Sequence, residues 1–383
     1  MPVLHILHVL RAPLGGLFRH VVDLARGQIA RGHRVGIIAD SLTGNARSRQ
    51  ILAELAPELA LGLTLMPVAR EPGLRDVEVV RRVGRRLRHV GADIVHGHGA
   101  KGGAYARLAV AGRPVVRAYT PHGGSLLFTP ESLRGRAYLA LERALMRRGH
   151  LYFFESAFAA ALYRAKVGVP SGLARVIPNG VDQAEFAPVE PDADASDLLF
   201  VGELRAIKGV DVLLEAVARL ARDGLNVTAT LVGDGPEGQA LRERAARLAI
   251  DRAVTFLPAM PMRQALARGR LMVVPSHLES MPYVVLEAAA AGRPLVATRV
   301  GGIPEIFGAL AHRLVPPGDP AALAQAIRHA LADPAACAAD ARILRARVAA
   351  EFSVGSMVEG VLEGYAQALE RLRTPAHALP ATA

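Results

Sequence analysis

The chain has no tryptophan, a single cysteine, and only 4% aromatic residues. With Cys337 alone, intramolecular disulfides and any cysteine-based zinc site are excluded. So few aromatics, with no recognition-helix pattern, argue against nucleic acid as a partner. No uncharged apolar run reaches the roughly 18 residues that a membrane-spanning helix needs. The opening "MPVLHILHVL" lacks the charged segment and cleavage site of a signal peptide and reads as a first strand. The expected location is the cytoplasm.

What is present is ample apolar material and an uneven charge. Over 383 residues, 51% hydrophobic content is enough for two cores, and the length suits two domains. Residues 1–190 hold 26 Lys+Arg against 14 Asp+Glu, and the remainder 20 against 21, so the net +11 divides as +12 and −1. Arg81, Arg82, Arg85, Arg86 and Arg88 form one basic cluster, and Arg134, Arg136, Arg143, Arg147 and Arg148 another. Solvated helix faces and attraction to an anionic partner explain such clusters equally well.

Apolar strands alternate with amphipathic helices twice over. "VLHILHVL", "HRVGIIA", "ADIVHGH" and "RPVVRAYT" serve the first half, and "DLLFVGEL", "VTATLVGDG", "RLMVVPS" and "RPLVATRV" the second. This alternation predicts two parallel sheets with helices on both faces, facing across a cleft, with ligands at the carboxyl ends of the strands. "FAPVEPDADASD" between them reads as a linker, and its Asp192-x-Asp194 as solvated linker rather than a cation site. Val358, Val361, Leu362, Tyr365, Leu369 and Leu372 recur at helical spacing near the end.

The densest chemistry lies in "ESMPYVVLE", residues 279–287. Pro282 suits the first turn of a helix that stops at Gly292. The free N–H groups of its amino end, from about Met281 to Val285, suit a phosphate. Glu279 precedes the helix and Glu287 lies within it, so they cannot flank one scissile bond as a glycosidase pair does. Holding hydroxyls on either side of a phosphate would suit a nucleoside diphosphate sugar. One capping and one exposed glutamate is an equal reading of this stretch alone. "FVGELRAIKG" adds Arg205 and Lys208 at a strand's end, where cations can neutralise a leaving diphosphate without a metal. Gly15 and Gly16, between the first strand and helix, let backbone approach a phosphate, although simple turn geometry explains such a pair too.

Taken in order along the chain, these stretches resemble the retaining, nucleotide-sugar-dependent glycosyltransferase family 4 of GT-B fold. "RGHRV", "DIVHGH", "TPHGG", "VIPNGVDQAEF", "LVGDGPE" and "VGGIPEI" extend the resemblance over nearly the whole chain. It implies an N-terminal acceptor-binding Rossmann-like domain over 1–186, a linker over 187–197 and a C-terminal nucleotide-sugar-binding domain over 198–355. Residues 356–373 would form a helix crossing back to the first domain, and 374–383 a flexible tail.

The resemblance also implies roles. Glu279 would bind the donor sugar beside its anomeric carbon and Glu287 the ribose, while Arg205 and Lys208 would bind the diphosphate. Backbone at Gly16 and around Ser280, Met281 and Pro282 would assist, and His122 would face the reacting sugar. His98 is left open between site and scaffold, and Asn179 and Asp182 read as a turn shaping a hinge. The implied reaction is metal-independent and cofactor-free: a front-face transfer of a hexosyl group to a sugar or lipid-linked acceptor, in cell-surface polysaccharide or glycolipid synthesis. The basic N-terminal half would place the protein on the inner face of the cell membrane. A sugar-nucleotide 2-epimerase and a non-catalytic nucleotide-sugar binder are the rivals. The chain departs from the family at Glu203, where an arginine is usual. Glu203 is expected to turn away and pair with a neighbouring arginine, leaving the phosphate to Arg205.

Overall fold

The computed structural model describes residues 2–127 and 131–374. The chain forms two compact units, one running to Pro178 and resuming at Val354, the other Asn179–Ser353. The expected tail, 374–383, lies outside the described residues except for Thr374.

The first unit is built on strands β1 (His5–Leu10), β2 (Arg34–Asp40), β3 (Leu63–Met66), β4 (Ile94–His98), β5 (Val116–Thr120), β6 (Leu151–Phe154) and β7 (Leu173–Val176). They form one parallel sheet in the order β3-β2-β1-β4-β5-β6-β7. The second unit has β8 (Ser196–Val201), β9 (Ala229–Val232), β10 (Val254–Leu257), β11 (Gly269–Val274) and β12 (Leu295–Ala297), parallel in the order β10-β9-β8-β11-β12. Helices cover both faces, so the inner strands are buried throughout and read as continuous apolar runs rather than alternating ones. This is the expected α/β fold, two doubly wound Rossmann-like units.

In each sheet the strand order reverses once, between β1 and β4 and between β8 and β11. At such a point the connections leave to opposite faces and open a crevice at the carboxyl ends. The loops after β8 and β11 carry Arg205, Lys208 and Glu279; His98 ends β4, and His8 lies two positions before the end of β1.

The final helix, Val354–Arg373, belongs to the first unit and begins two positions before the expected 356. Its buried stripe of Val358, Val361, Leu362 and Tyr365 packs on Ile6, Ile94, Val116 and Phe153. The contact is close because Gly27 and Gly364 carry no side chain. A Cβ on Gly27 would meet Val358 at 2.4 Å, and one on Gly364 would meet Phe153 at 2.7 Å.

The boundary after the first unit falls at Asn179, earlier than the expected 186, and residues 187–195 are strapped to the second unit. Val181 bridges to Ser353 and is buried. Arg345 donates to Phe186 O at 2.7 Å, Arg263 to Ala187 O at 2.9 Å, and Arg293 to Val189 O at 2.7 Å. Asp192 pairs with Arg268 at 3.1 Å. A proline-rich stretch forms no ladder of its own, so its carbonyls are satisfied by arginines from elsewhere in the unit.

Candidate functional site

In the second unit two loops are fastened side by side. Gly209 adopts φ +64°, and a Cβ there would lie 2.1 Å from Pro275 O. Only glycine allows that approach. His277 N donates to Ile207 O at 2.9 Å. Across this seam Lys208 Nζ donates to Glu279 Oε1 at 2.7 Å, and Ser276 Oγ donates to the same oxygen at 2.7 Å. Glu279 is mostly buried, with its side chain 9% exposed against 26% for Lys208. On the other side Gly301, at φ +56°, lies so close that a Cβ would come within 1.6 Å of Glu279 O, and Gly302 N donates to Ser280 O at 2.8 Å. The Glu279 loop is therefore clamped between two glycine turns.

The helix following this loop spans Tyr283–Ala290, with Pro282 at its N-cap and no side-chain cap. Proline offers the first turn no side-chain acceptor of its own, and a helix start carries the positive end of the dipole, which favours an anion. Gly292 follows in the left-handed conformation, φ +71°, as expected for a helix stop. Pro282 stands one position earlier than the first helical residue, and Met281 is buried, its carbonyl accepting from Asn179 Nδ2 at 2.8 Å. Asn179 therefore serves this loop, and Asp182 caps the short turn Gln183–Phe186. Ser280 Oγ is buried without a hydrogen-bond partner among the described residues, an unpaired polar atom beside Glu279. Glu287 lies partly buried in the second turn of the helix.

Arg205 and Glu203 are both about half exposed, and Arg205 Nη1 approaches Glu203 Oε2 at 3.6 Å. Glu203 does pair with a neighbouring arginine, and that arginine is Arg205 itself. Both lie beyond the end of β8 in a tight turn, where Arg205 N donates to Glu203 O at 2.9 Å, so one turn carries both side chains.

In the first unit Gly15 and Gly16 are exposed at the start of the Gly15–Ala30 helix, which also lacks a side-chain cap; Gly15 has φ +64° and open space around it. The same unit holds a group of histidine rings. Gln28 Oε1 meets His8 Nε2 at 2.9 Å, His8 Nδ1 meets His98 Nε2 at 3.0 Å, and His98 Nδ1 meets His122 Nε2 at 3.1 Å. His122 Nδ1 then faces Glu155 Oε1 at 3.7 Å. This line crosses the carboxyl ends of β1, β4, β5 and β6. His96, packed on His98 with ring centres 4.0 Å apart, bonds Tyr365 and Thr120 at 2.7 and 2.8 Å. His20 stands edge-on to His122 at 4.7 Å.

Burial holds His8, His96, His98 and His122 neutral. It lowers His8 to about 4 and pushes His96, His98 and His122 well below the usual imidazole range. Nitrogens of His8, His96 and His98 lie within 4.8 Å of one another, as do those of His20, His98 and His122. Both nitrogens of His96 and of His98 are already engaged, so a metal ion there would have to break the network.

His122 was expected to face a sugar. Its side chain is 6% exposed, and its ring nitrogens turn to His98 and Glu155. Its backbone has φ +51°, rare outside glycine and a mark of local strain that the surroundings must hold. His98 is an interior link of the chain. His8, His20, His96, Gln28 and Glu155 were not nominated from sequence. The signal available was "HGH": two histidines at strand spacing share a face, and the glycine between them admits the next helix, since a Cβ on Gly97 would meet Gly102 O at 2.4 Å.

Comparison with known proteins shows the family and the fold. Residues 14–185 match the family model described as Glycosyltransferase Family 4, and residues 195–333 that described as Glycosyl transferases group 1. The chain is 31% identical to D-inositol 3-phosphate glycosyltransferase of Frankia alni, over 93% of this chain and 95% of that one. It is 29% identical to glycogen synthase of Mycobacterium tuberculosis, over 96% and 94%. Among solved structures, a glycosyltransferase from Rickettsia africae superposes with a TM-score of 0.79 at 19% identity, covering 97% of this chain and 100% of that one. Anabaena Alr3699/HepE in complex with UDP gives 0.77 at 22%, covering 95% and 100%. The chain belongs to glycosyltransferase family 4, the glycosyl transferases of group 1.

Proposed function

We propose that the protein transfers a hexosyl group from a nucleoside diphosphate sugar to an acceptor hydroxyl, with retention at the anomeric carbon and without a metal or cofactor. The observation that carries this reading is the Lys208–Glu279 pair at 2.7 Å, set beside an uncapped helix start. Cation, helix N–H groups and carboxylate match diphosphate and sugar hydroxyls in turn. HepE, a structural relative, has been crystallised with UDP-glucose, and the tuberculosis relative is a glycogen synthase.

In this mechanism the bond from anomeric carbon to diphosphate oxygen breaks, and the electron pair leaves with the diphosphate. Lys208, Arg205 and the helix N–H groups stabilise that charge, the task a divalent ion performs elsewhere. The acceptor oxygen forms its bond on the face the diphosphate leaves, and its proton passes to a departing phosphate oxygen. Glu279 holds the sugar and Glu287 the ribose; Gly15–Gly16 offers a second uncapped helix start to an anion.

The acceptor is a sugar or lipid-linked sugar of a surface polysaccharide or glycolipid, met at the inner face of the cell membrane. Support comes from exposed Arg136 on the first turn of the Leu133–Met146 helix, whose Leu133 is 80% exposed, and from exposed Arg147 and Arg148 just beyond the helix's other end. No helix among the described residues is long and apolar enough to cross a membrane. The test is transfer from UDP-, GDP- and ADP-glucose with EDTA present, with the product's anomeric configuration read by proton NMR. An inverted product, or activity lost in EDTA and restored by manganese, contradicts the reading.

A further inference from the structure

Glu279 Oε1 has two donors of different character. Lys208 reaches it from a long flexible stem that is partly exposed, whereas Ser276 is wholly buried and reaches it through a single rotatable bond. Ser276 is itself pinned. Its carbonyl accepts from the buried Thr298 Oγ1 at 2.6 Å, and Pro275 before it packs on Gly209. Two donors occupy Oε1, and Oε2 accepts from no side chain or backbone group among the described residues.

An arriving diphosphate carries more negative charge than one carboxylate and draws the ammonium toward itself. A mostly buried carboxylate that loses a donor is left under-solvated and free to rotate. A fixed second donor on the same oxygen prevents both.

We propose that Ser276 is a positioning residue for Glu279. It holds Oε1 when Lys208 turns to the diphosphate, so that Oε2 stays aimed at the sugar. The inference rests on the reading that Glu279 meets the donor sugar. It separates two functions in one motif: Lys208 serves the phosphates, and Ser276 serves the sugar through Glu279.

The experiment is calorimetric titration of UDP, GDP and ADP and of their glucose esters into wild type, Ser276→Ala, Lys208→Ala, Glu279→Ala and the Ser276→Ala/Glu279→Ala double variant. Loss of a hydrogen bond to a charged group predicts that Ser276→Ala weakens the sugar ester by about 10-fold or more. The matching free nucleotide should bind as it does to wild type. Lys208→Ala should weaken both ligands. In the Glu279→Ala background Ser276→Ala should add nothing, because its effect runs through the carboxylate. Equal weakening of nucleotide and sugar ester, an additive double variant, or no change in Ser276→Ala overturns the inference. Wild type that binds none of the six ligands removes the functional reading itself, and this inference with it.

Discussion

His98 Nδ1 and His122 Nε2 meet at 3.1 Å across the ends of neighbouring strands, joining three imidazoles into one line between Gln28 and Glu155. Each N–N contact accommodates one proton. With Gln28 Oε1 accepting, neutral rings all carry their proton on Nε2, and the lone pair of His122 Nδ1 faces Glu155, which then donates only as a protonated carboxyl; with the Gln28 amide donating instead, all three rings carry their proton on Nδ1 and His122 donates to Glu155. The order of protons along the line is set by its ends.

That line should make the protein acid-sensitive. Unfolded histidines protonate near pH 6.5, whereas burial holds His8 neutral to about 4 and keeps His96, His98 and His122 well below the usual range. Below about pH 6.5 the unfolded chain therefore binds more protons than the folded one, and stability falls as pH falls, by up to about 1.4 kcal/mol per pH unit for each ring. Urea midpoints measured from pH 7.5 down to 4.5 should hold at first and then drop steadily below about pH 6.5. His8→Phe should flatten the slope. A profile level across that range would contradict the neutral network.

A second buried group is purely structural. Arg107 Nη1 meets Glu142 Oε1 at 2.6 Å, with Tyr163 donating to the same carboxylate oxygen at 3.2 Å and the guanidinium 4.0 Å above the Tyr119 ring. Both partners are buried, so removing one strands the other's charge. Glu142→Ala should cost about 3–5 kcal/mol, while replacing both by apolar residues of similar volume should be close to neutral. Thermal midpoints of the single and double variants decide this.

The Arg205–Glu203 pair separates activity from stability. Both side chains are about half exposed, and such a pair contributes at most about 1 kcal/mol. Arg205→Ala should lower turnover by about 10²-fold through the lost contact to the leaving diphosphate. Glu203→Ala, which frees that arginine, should leave turnover within about 5-fold, the scale of an exposed pair. The reverse ranking in steady-state kinetics would leave the phosphates to Lys208 alone.

The sheets were legible because parallel strands buried on both faces leave continuous apolar runs, as in Leu151–Phe154 and Ala229–Val232. Residues 187–195 were less so. Proline and aspartate signal a loop wherever it runs, whereas the ties that fix this one come from Arg263, Arg268 and Arg293, far along the chain. Glu279 and Lys208 emerged through the order of motifs, since no local spacing pairs groups 71 residues apart. His8 and Gln28 sit in apolar surroundings with no motif around them; only the fold shows that they meet.

The glycines clamping the Glu279 loop yield the sharpest structural test. Gly301 and Gly224 both have positive φ, +56° and +84°, so alanine costs backbone strain at either, about 1–2 kcal/mol. They differ in what a Cβ would meet. At Gly224 there is nothing within 4 Å, whereas at Gly301 the Glu279 carbonyl oxygen lies 1.6 Å away. Gly224→Ala should thus lower the thermal midpoint and leave kcat/KM unchanged. Gly301→Ala must displace the backbone that carries Glu279 and the start of the Tyr283–Ala290 helix. A shift of about 1 Å at a positioned group is worth about 10²-fold in rate, so kcat/KM should fall on that scale. Paired measurements of midpoint and kcat/KM distinguish the two effects. Full activity in Gly301→Ala would mean that the loop tolerates displacement and that the placement of Glu279 does not govern the reaction.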